Sequence, residues 1–238
     1  MTDMIQPADP FLADPFLLTG VTDHHVVAVE GRLVHRELLA PLAQLQDAAA
    51  RQGITLAVAS GFRSFERQVA IWNAKARGQR PVLDDQGQPL DLARLTPLEI
   101  VVAILRWSAL PGTSRHHWGT DIDVWDPSAV AADYQLQLVP EEYGRGGPFA
   151  RLGGWLDREL EATGPGFYRP YAVDRGGVAP EPWHLSYRPL ADYYAGLLTP
   201  ALLAPLLQDA SSVCGQELAL CDTVIRHLDD IFDRFVVK

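Results

Sequence analysis

Imidazoles and carboxylates recur in this chain at spacings that suit a single metal ion. Ser114-Arg115-His116-His117-Trp118-Gly119-Thr120-Asp121-Ile122-Asp123 sets paired histidines close to a pair of aspartates, and Glu181-Pro182-Trp183-His184 follows far downstream. Three nitrogen or oxygen donors that leave one coordination position open are what a catalytic zinc requires. A glutamate outside that ligand set is what the water activated by such an ion needs in order to lose its proton. Isolated histidines usually serve as surface or hydrogen-bonded residues, and His24, His25, His35 and His227 are read that way.

The elements around these residues must bring them to one place. Thr120 to Trp125 is rich in β-formers and reads as a strand. Alternation puts Asp121, Asp123 and Trp125 on one face and turns Ile122 and Val124 to a core. Gly119 lets the backbone turn between that strand and His116. In Trp183-His184-Leu185-Ser186-Tyr187 the same alternation groups His184 with Ser186. Pro182 disfavours a helical Glu181, so Glu181 and His184 have to meet across a turn.

Upstream, Val26 to Val29 and Arg32 to Val34 flank Glu30-Gly31 and predict a hairpin. Leu38 to Arg51 predicts a helix stopped at Gly53, and Ile54 to Ala59 a short buried strand leading into Ser60-Gly61-Phe62-Arg63-Ser64. Ser64 caps a helix running to Arg77. Thr96-Pro97-Leu98-Glu99 is a capping box that opens a helix to Ser108. Gly78 to Asp91 reads as a surface loop or loose hairpin near the site. Asp126 to Gly147 reads as loop-rich, with a mobile Gly144-Arg145-Gly146-Gly147 tract that lacks the strand and Lys-Ser/Thr of a phosphate cradle. Phe149 to Leu160 predicts an amphipathic helix, and Phe167 to Val173 a strand facing residues 183–187. Beyond Arg188-Pro189, the segments Leu190–Leu198, Pro200–Leu207 and Gln216–Phe235 repeat apolar residues at helical spacing.

Three ordered motifs carry a family resemblance across most of the chain. Ser114-x-His116-x-x-Gly119-x-x-x-Asp123 resembles the SxHxxGxAxD signature of the zinc peptidases that group D-Ala-D-Ala carboxypeptidases and dipeptidases, lysostaphin-like enzymes and hedgehog domains. Glu181-x-Trp183-His184 resembles their ExWH signature, with Pro182 closer to the carboxypeptidases than to the dipeptidases. Ser60-Gly61-Phe62-Arg63-Ser64 with Gln68 is similar to the Ser-Gly-Tyr/Phe-Arg-Ser-x3-Gln element of VanY-like carboxypeptidases. The resemblance implies one Zn2+ held by His116, Asp123 and His184, with Glu181 as general base. It implies that Arg63 stabilises the negative charge of the tetrahedral intermediate. Gln68 and Ser114 stand at positions implied to hold a substrate's terminal carboxylate, with Arg67 and Arg115 as lesser candidates. Asp121 occupies the family's usual small position, where it would orient a ligand, recognise a substrate amine or sit solvated.

The fold expected is α+β: a small antiparallel sheet bearing a zinc site, flanked by helices, with a helical C-terminal extension. Residues 1–238 read as one domain, with core motifs over 55–190, an irregular arm over 1–23 and the extension over 190–238. That extension would brace the core, or offer a homodimer contact. The implied function is a carboxypeptidase that removes a D-amino acid, D-Ala, from peptidoglycan-derived peptides, cutting a D,D- or L,D-type bond. A D-Ala-D-Ala dipeptidase, a phage-type endopeptidase and a non-catalytic zinc-containing binding module are the alternatives. Retention of Glu181 and Arg63 argues against the last, since a structural zinc needs neither.

Composition bounds the partners. A formal net charge of -10 argues against phosphate-backbone binding, which needs a basic surface. No apolar run approaches a membrane span. Met1 to Val21 lacks a basic n-region and is broken by Pro and Asp, so the expected location is cytoplasmic, with small muropeptides as substrates. Cys214 and Cys221 fall in a helical pattern too far apart for a disulfide and read as small core residues.

Overall fold

The computed structural model describes residues 14–161 and 166–236. Of the expected N-terminal arm, residues 1–13 lie outside that range. Pro15–Leu18 form a helical turn, α1, whose start Asp14 caps by accepting from the Phe16 amide. Leu17 and Leu18 are buried, and the Leu18 carbonyl accepts from Trp118 Nε1, so this part of the arm belongs to the core.

The predicted hairpin forms as β1 (Val26–Val29) and β2 (Arg32–His35). Glu30 and Gly31 take φ values of 50° and 77°, the left-handed pair that a two-residue turn of type I′ requires. Its second strand grips both motif segments. The Leu33 carbonyl accepts from the Phe62 amide at 2.6 Å, and the His35 amide donates to the Gly119 carbonyl at 2.8 Å. A Cβ at Gly61 would stand 2.2 Å from the Leu33 oxygen, and one at Gly119 (φ 65°) 2.8 Å from the His35 nitrogen. Both contacts exclude a side chain.

Helix α2 (Leu39–Arg51), strand β3 (Ala57–Ser60), helices α3 (Phe65–Ala76) and α4 (Pro97–Leu105), and strand β4 (Asp121–Trp125) follow in order. Then come α5 (Pro140–Tyr143), α6 (Ala150–Glu161), β5 (Phe167–Tyr168) and β6 (His184–Tyr187). The caps expected at Ser64 and Thr96 are present, and Glu99 accepts from the Thr96 amide at 2.7 Å. Four strands make one antiparallel sheet in the order β3-β4-β6-β5. Ile122 and Val124 of β4 join Val58, Leu185 and the apolar faces of α2 and α6 in one buried cluster. Full burial of each such side chain contributes about 1.5–3 kcal/mol. Asp121 and Asp123 therefore point to the opposite face of the sheet.

The C-terminal segment supplies α7 (Arg188–Leu197), α8 (Pro200–Gln208), α9 (Ala210–Cys214), α10 (Cys221–Arg226) and α11 (Leu228–Phe235). Leu203, Leu207, Val224 and Ile231 pack with Trp72, Val101 and Ile104 of α3 and α4, so the extension is part of the core. Among the described residues no single helix is long and apolar enough to cross a membrane.

Four expectations need correction. The helix read over Gln216–Phe235 is two helices. Residues 215–220 leave helical geometry, with φ of 71° at Gly215 and 62° at Leu220, because Asn73 draws the Glu217 carbonyl and the Ala219 amide to itself at 2.8 Å each. Cys214 and Cys221 consequently lie on different helices, as free, partly buried thiols. The strand read over Phe167–Val173 stops at Tyr168, since Pro170 offers no amide to a ladder and Arg169 turns to Asp157 and the Gly153 carbonyl. The helix opened by Thr96 ends at Leu105, where Arg106 binds Asp85, Asp174 and the Gly177 carbonyl. Finally, the Gly144–Gly147 tract is closed onto α5: a Cβ at Gly147 would lie 2.1 Å from the Glu141 carbonyl oxygen.

Trp72 is fully buried and donates Nε1–H to the Ala219 carbonyl at 2.9 Å, tying α3 to the extension. Trp72→Ala is expected to lower the unfolding free energy by about 3–5 kcal/mol in a denaturant titration. A loss below about 1 kcal/mol, the size typical of surface changes, would contradict the extension's place in the core.

Candidate active site

Backbone pairing assembles the first part of the site. In the β4–β6 ladder Asp123 stands directly opposite His184, and Ser60 of β3 stands opposite Asp123 on the other side. His116 arrives on a single helical turn, Arg115–Trp118, which Gly119 ends in the left-handed conformation. The three donors converge: one ligand atom each from His116, Asp123 and His184 all lie within 4.8 Å of one another, and all three residues are buried. His116 Nε2 is 3.4 Å from Asp123 Oδ2, and His184 Nδ1 is 3.3 Å from Asp123 Oδ1. Glu181 Oε2 stands 3.4 Å from the same His184 nitrogen, across the turn in which the His184 amide donates to the Glu181 carbonyl.

The hydrogen bonds behind the rings determine which nitrogen is free. His116 Nδ1 donates to the Gly61 carbonyl at 2.9 Å, with the Asp121 carbonyl at 3.1 Å, leaving Nε2 turned to the trio. His184 Nε2 donates to Asp121 Oδ1 at 2.9 Å, leaving Nδ1 turned to it. Metal-bound histidines are oriented in this way, the second nitrogen held by a carbonyl or carboxylate. Asp121 accepts in addition from Arg115 Nε at 2.8 Å and from Thr120 Oγ1 at 2.8 Å. Of the three readings of Asp121 it is the orienting one that this geometry supports. Its carboxylate is fully buried and engaged on both oxygens.

The charges match a cation. Burial alone would raise the Asp121 and Asp123 carboxyls, but Arg115 and His184 around the first, and His116 and His184 around the second, hold both well below the usual range. Burial opposes charge on His184 too, yet carboxylates at both ring nitrogens push it up to about 10. The carboxylates thus favour positive charge at this ring, and a metal ion at Nδ1 would supply it as a proton does. Asp123 Oδ1 is buried with no hydrogen-bond partner. Two imidazole nitrogens and a carboxylate with an unsatisfied buried oxygen fit a zinc-type ion. Glu181 is pushed up to about 7, chiefly by burial, with His184 and Arg63 opposing. A carboxyl group in that range accepts and returns a proton near neutral pH.

The remaining expected residues separate by what they touch. His117, beside His116 in sequence, points elsewhere: its Nδ1 donates to the Arg63 carbonyl at 2.6 Å and its Nε2 accepts from the Gly112 amide at 3.1 Å. Arg63 lines the site cavity of roughly 260 Å³ together with Ser114, His116, Asp123, Glu181 and His184. Gln68 is fully buried beneath it, accepting from Arg63 Nη1 at 3.1 Å and donating to the Ala109 carbonyl at 2.7 Å. Arg115 is committed to Asp121, Tyr168 and Ser186. Trp118 is buried in the core with the Arg115 guanidinium 4.9 Å from its ring centroid, and Trp183 walls the site cavity. Sequence reasoning missed Tyr171, whose ring packs 5.1 Å from His184 and whose carbonyl accepts from the Glu181 amide. It also passed over Lys75, although Gln68, Ile71 and Lys75 follow one another at helical spacing on α3.

A buried His–Asp–His trio with a glutamate beside it, carried on an antiparallel sheet, defines a candidate single-metal hydrolase centre. Comparison with known proteins gives the family: residues 31–190 match VanY, D-alanyl-D-alanine carboxypeptidase. The chain belongs to that family. It is 34% identical over 130 residues to an uncharacterized Haemophilus influenzae protein, covering 54% of this chain and 93% of that one. It is 29% identical over 149 residues to a D-alanyl-D-alanine carboxypeptidase of Enterococcus faecalis, covering 61% of this chain and 45% of that protein. Its fold is similar to that of VanYB in complex with D-alanine-D-alanine, with a TM-score of 0.51 at 24% identity over 78% of this chain and 89% of that chain.

If Asp121 orients His184, Asp121→Asn should weaken zinc binding by about 10–100-fold in a competition titration against a chelating dye. Unchanged affinity in the folded variant would contradict that role.

Proposed function

We propose that the protein is a zinc-dependent carboxypeptidase that releases a C-terminal D-amino acid, D-Ala, from peptidoglycan-derived peptides. The observation that carries this reading is the convergence of His116, Asp123 and His184 with Glu181 standing beside the trio but outside it. Family membership and the Enterococcus faecalis relative support the substrate class. In this reading His116 Nε2, His184 Nδ1 and the Asp123 carboxylate hold the ion, which when bound supplies Lewis acidity for both the attacking water and the scissile carbonyl. Glu181 removes the proton of that water on its carboxylate and delivers it to the departing amine nitrogen. Arg63, fixed from behind by Gln68, presents its guanidinium where the carbonyl oxygen gains negative charge. Gln68 thus acts through Arg63, and the Ser114 hydroxyl is left facing the cavity as a donor to the substrate's terminal carboxylate.

The test is a panel of muropeptides with tri-, tetra- and pentapeptide stems, incubated with the zinc-loaded protein and read by mass spectrometry. Loss of one alanine is expected, abolished by a chelator; loss from the tetrapeptide assigns an L,D bond and loss from the pentapeptide alone a D,D bond. Glu181→Gln is expected to lower turnover by about 10²–10⁴-fold while bound zinc stays unchanged. Hydrolysis of free D-Ala-D-Ala alone would assign a dipeptidase instead. No cleavage of any peptide by the zinc-loaded protein would contradict the enzymatic reading.

A further inference from the structure

The site cavity carries more positive charge than its chemistry uses. Besides Arg63 and the committed Arg115, its wall includes Lys75, near the end of α3, and Arg80, in the loop that follows. Among the described residues neither Lys75 nor Arg80 makes an ion pair, whereas Arg115 is paired to Asp121 at 2.8 Å. Lys75 is half-buried, so its ammonium has given up much of its water; Glu181 on the same cavity wall favours its charge, but no carboxylate among the described residues pairs with it directly. Burial, with Arg80 next in effect, depresses that ammonium to about 8, a strain that an approaching anion would relieve. In a chain of net charge -10, two unpaired cations on the wall of one cavity form a field aimed at a negatively charged ligand.

Resting on the carboxypeptidase reading, we propose that Lys75 and Arg80 form a second anion subsite, which takes a carboxylate carried on a substrate side chain and distinct from the terminal carboxylate. A peptide with a diaminopimelate residue next to the released D-Ala offers such a group. A lysine in the same place lacks the carboxylate and brings only an ammonium, which Lys75 and Arg80 repel. The subsite therefore selects by attraction to one peptide and repulsion of the other. Ile71, Trp107 and Leu138 line the same cavity, where Lys75 is half-buried and Arg80 stands exposed at the surface.

The experiment compares three tetrapeptides that end in D-Ala and differ in the third residue: meso-diaminopimelate, the same residue with its side-chain carboxylate amidated, and lysine. Wild-type protein is expected to show a kcat/KM at least about tenfold higher for the first, equivalent to about 1.4 kcal/mol. Lys75→Met should remove that preference through KM, over and above any change shared by all three peptides, and keep the thermal midpoint; Lys75→Arg should restore the preference. An equal loss on all three peptides, or no change on any, overturns the subsite. Calorimetric binding of the same peptides to the zinc-loaded protein is measured in parallel. Preferential binding of the diaminopimelate peptide without hydrolysis would contradict the carboxypeptidase reading while leaving the subsite standing.

Discussion

Asp123 and His184 face each other because the β4–β6 ladder sets their backbones opposite, and the remainder of the site follows from that register. Directly opposed residues in an antiparallel pair hold their Cβ atoms about 4.5–5.5 Å apart on one face, close enough for two short side chains to share an ion. Their mutual attraction does not have to assemble the site; main-chain hydrogen bonds do. A slip of one residue would replace His184 by an apolar neighbour and turn the imidazole into the cluster that holds Ile122 and Leu185. The core on one face of the sheet is therefore what fixes the chemistry on the other.

Around this pair the protein buries an unusual amount of charge. Arg115, Asp121, Asp123 and His184 are all removed from bulk water, which is costly unless each group finds a partner. Arg115 and Asp121 find each other, and Asp121 holds His184 Nε2, so that the ring can offer only Nδ1 to the trio. An apolar replacement of similar shape could serve folding as well, but it would leave the imidazole free to rotate and to change tautomer. His116 is fixed in the same manner by the Gly61 carbonyl, and Gly61 in turn is pressed by the hairpin strand β2. A peripheral hairpin and a buried ion pair thus converge on the orientation of two rings.

Much of this was legible in the chain, and the reason is locality. Strand alternation from Asp121 to Trp125, the turn forced by Pro182, and the caps at Ser64 and Thr96 depend on neighbours in sequence, and each is present in the structure. What escaped depends on partners far away. Periodicity over 216–235 suited one helix, but Asn73 on α3 competes for its backbone and breaks it. Gln68 stands at the motif position of a substrate ligand, and only the tertiary structure shows that its amide also engages Arg63 and Ala109. Tyr171 reaches His184 because a predicted strand ends early at Arg169 and Pro170, and no spacing announces that. Asp121 could be placed on the correct face by alternation, yet its role needed Arg115 and His184 in view.

The central claim is that one divalent ion sits between His116 Nε2, His184 Nδ1 and the Asp123 carboxylate. Crystals grown with zinc, measured on both sides of the zinc absorption edge, test it most directly. The account predicts a single anomalous peak at about 2.0–2.2 Å from each of those three groups, with Glu181 outside the coordination shell. A peak elsewhere, or none with zinc in excess, would contradict it.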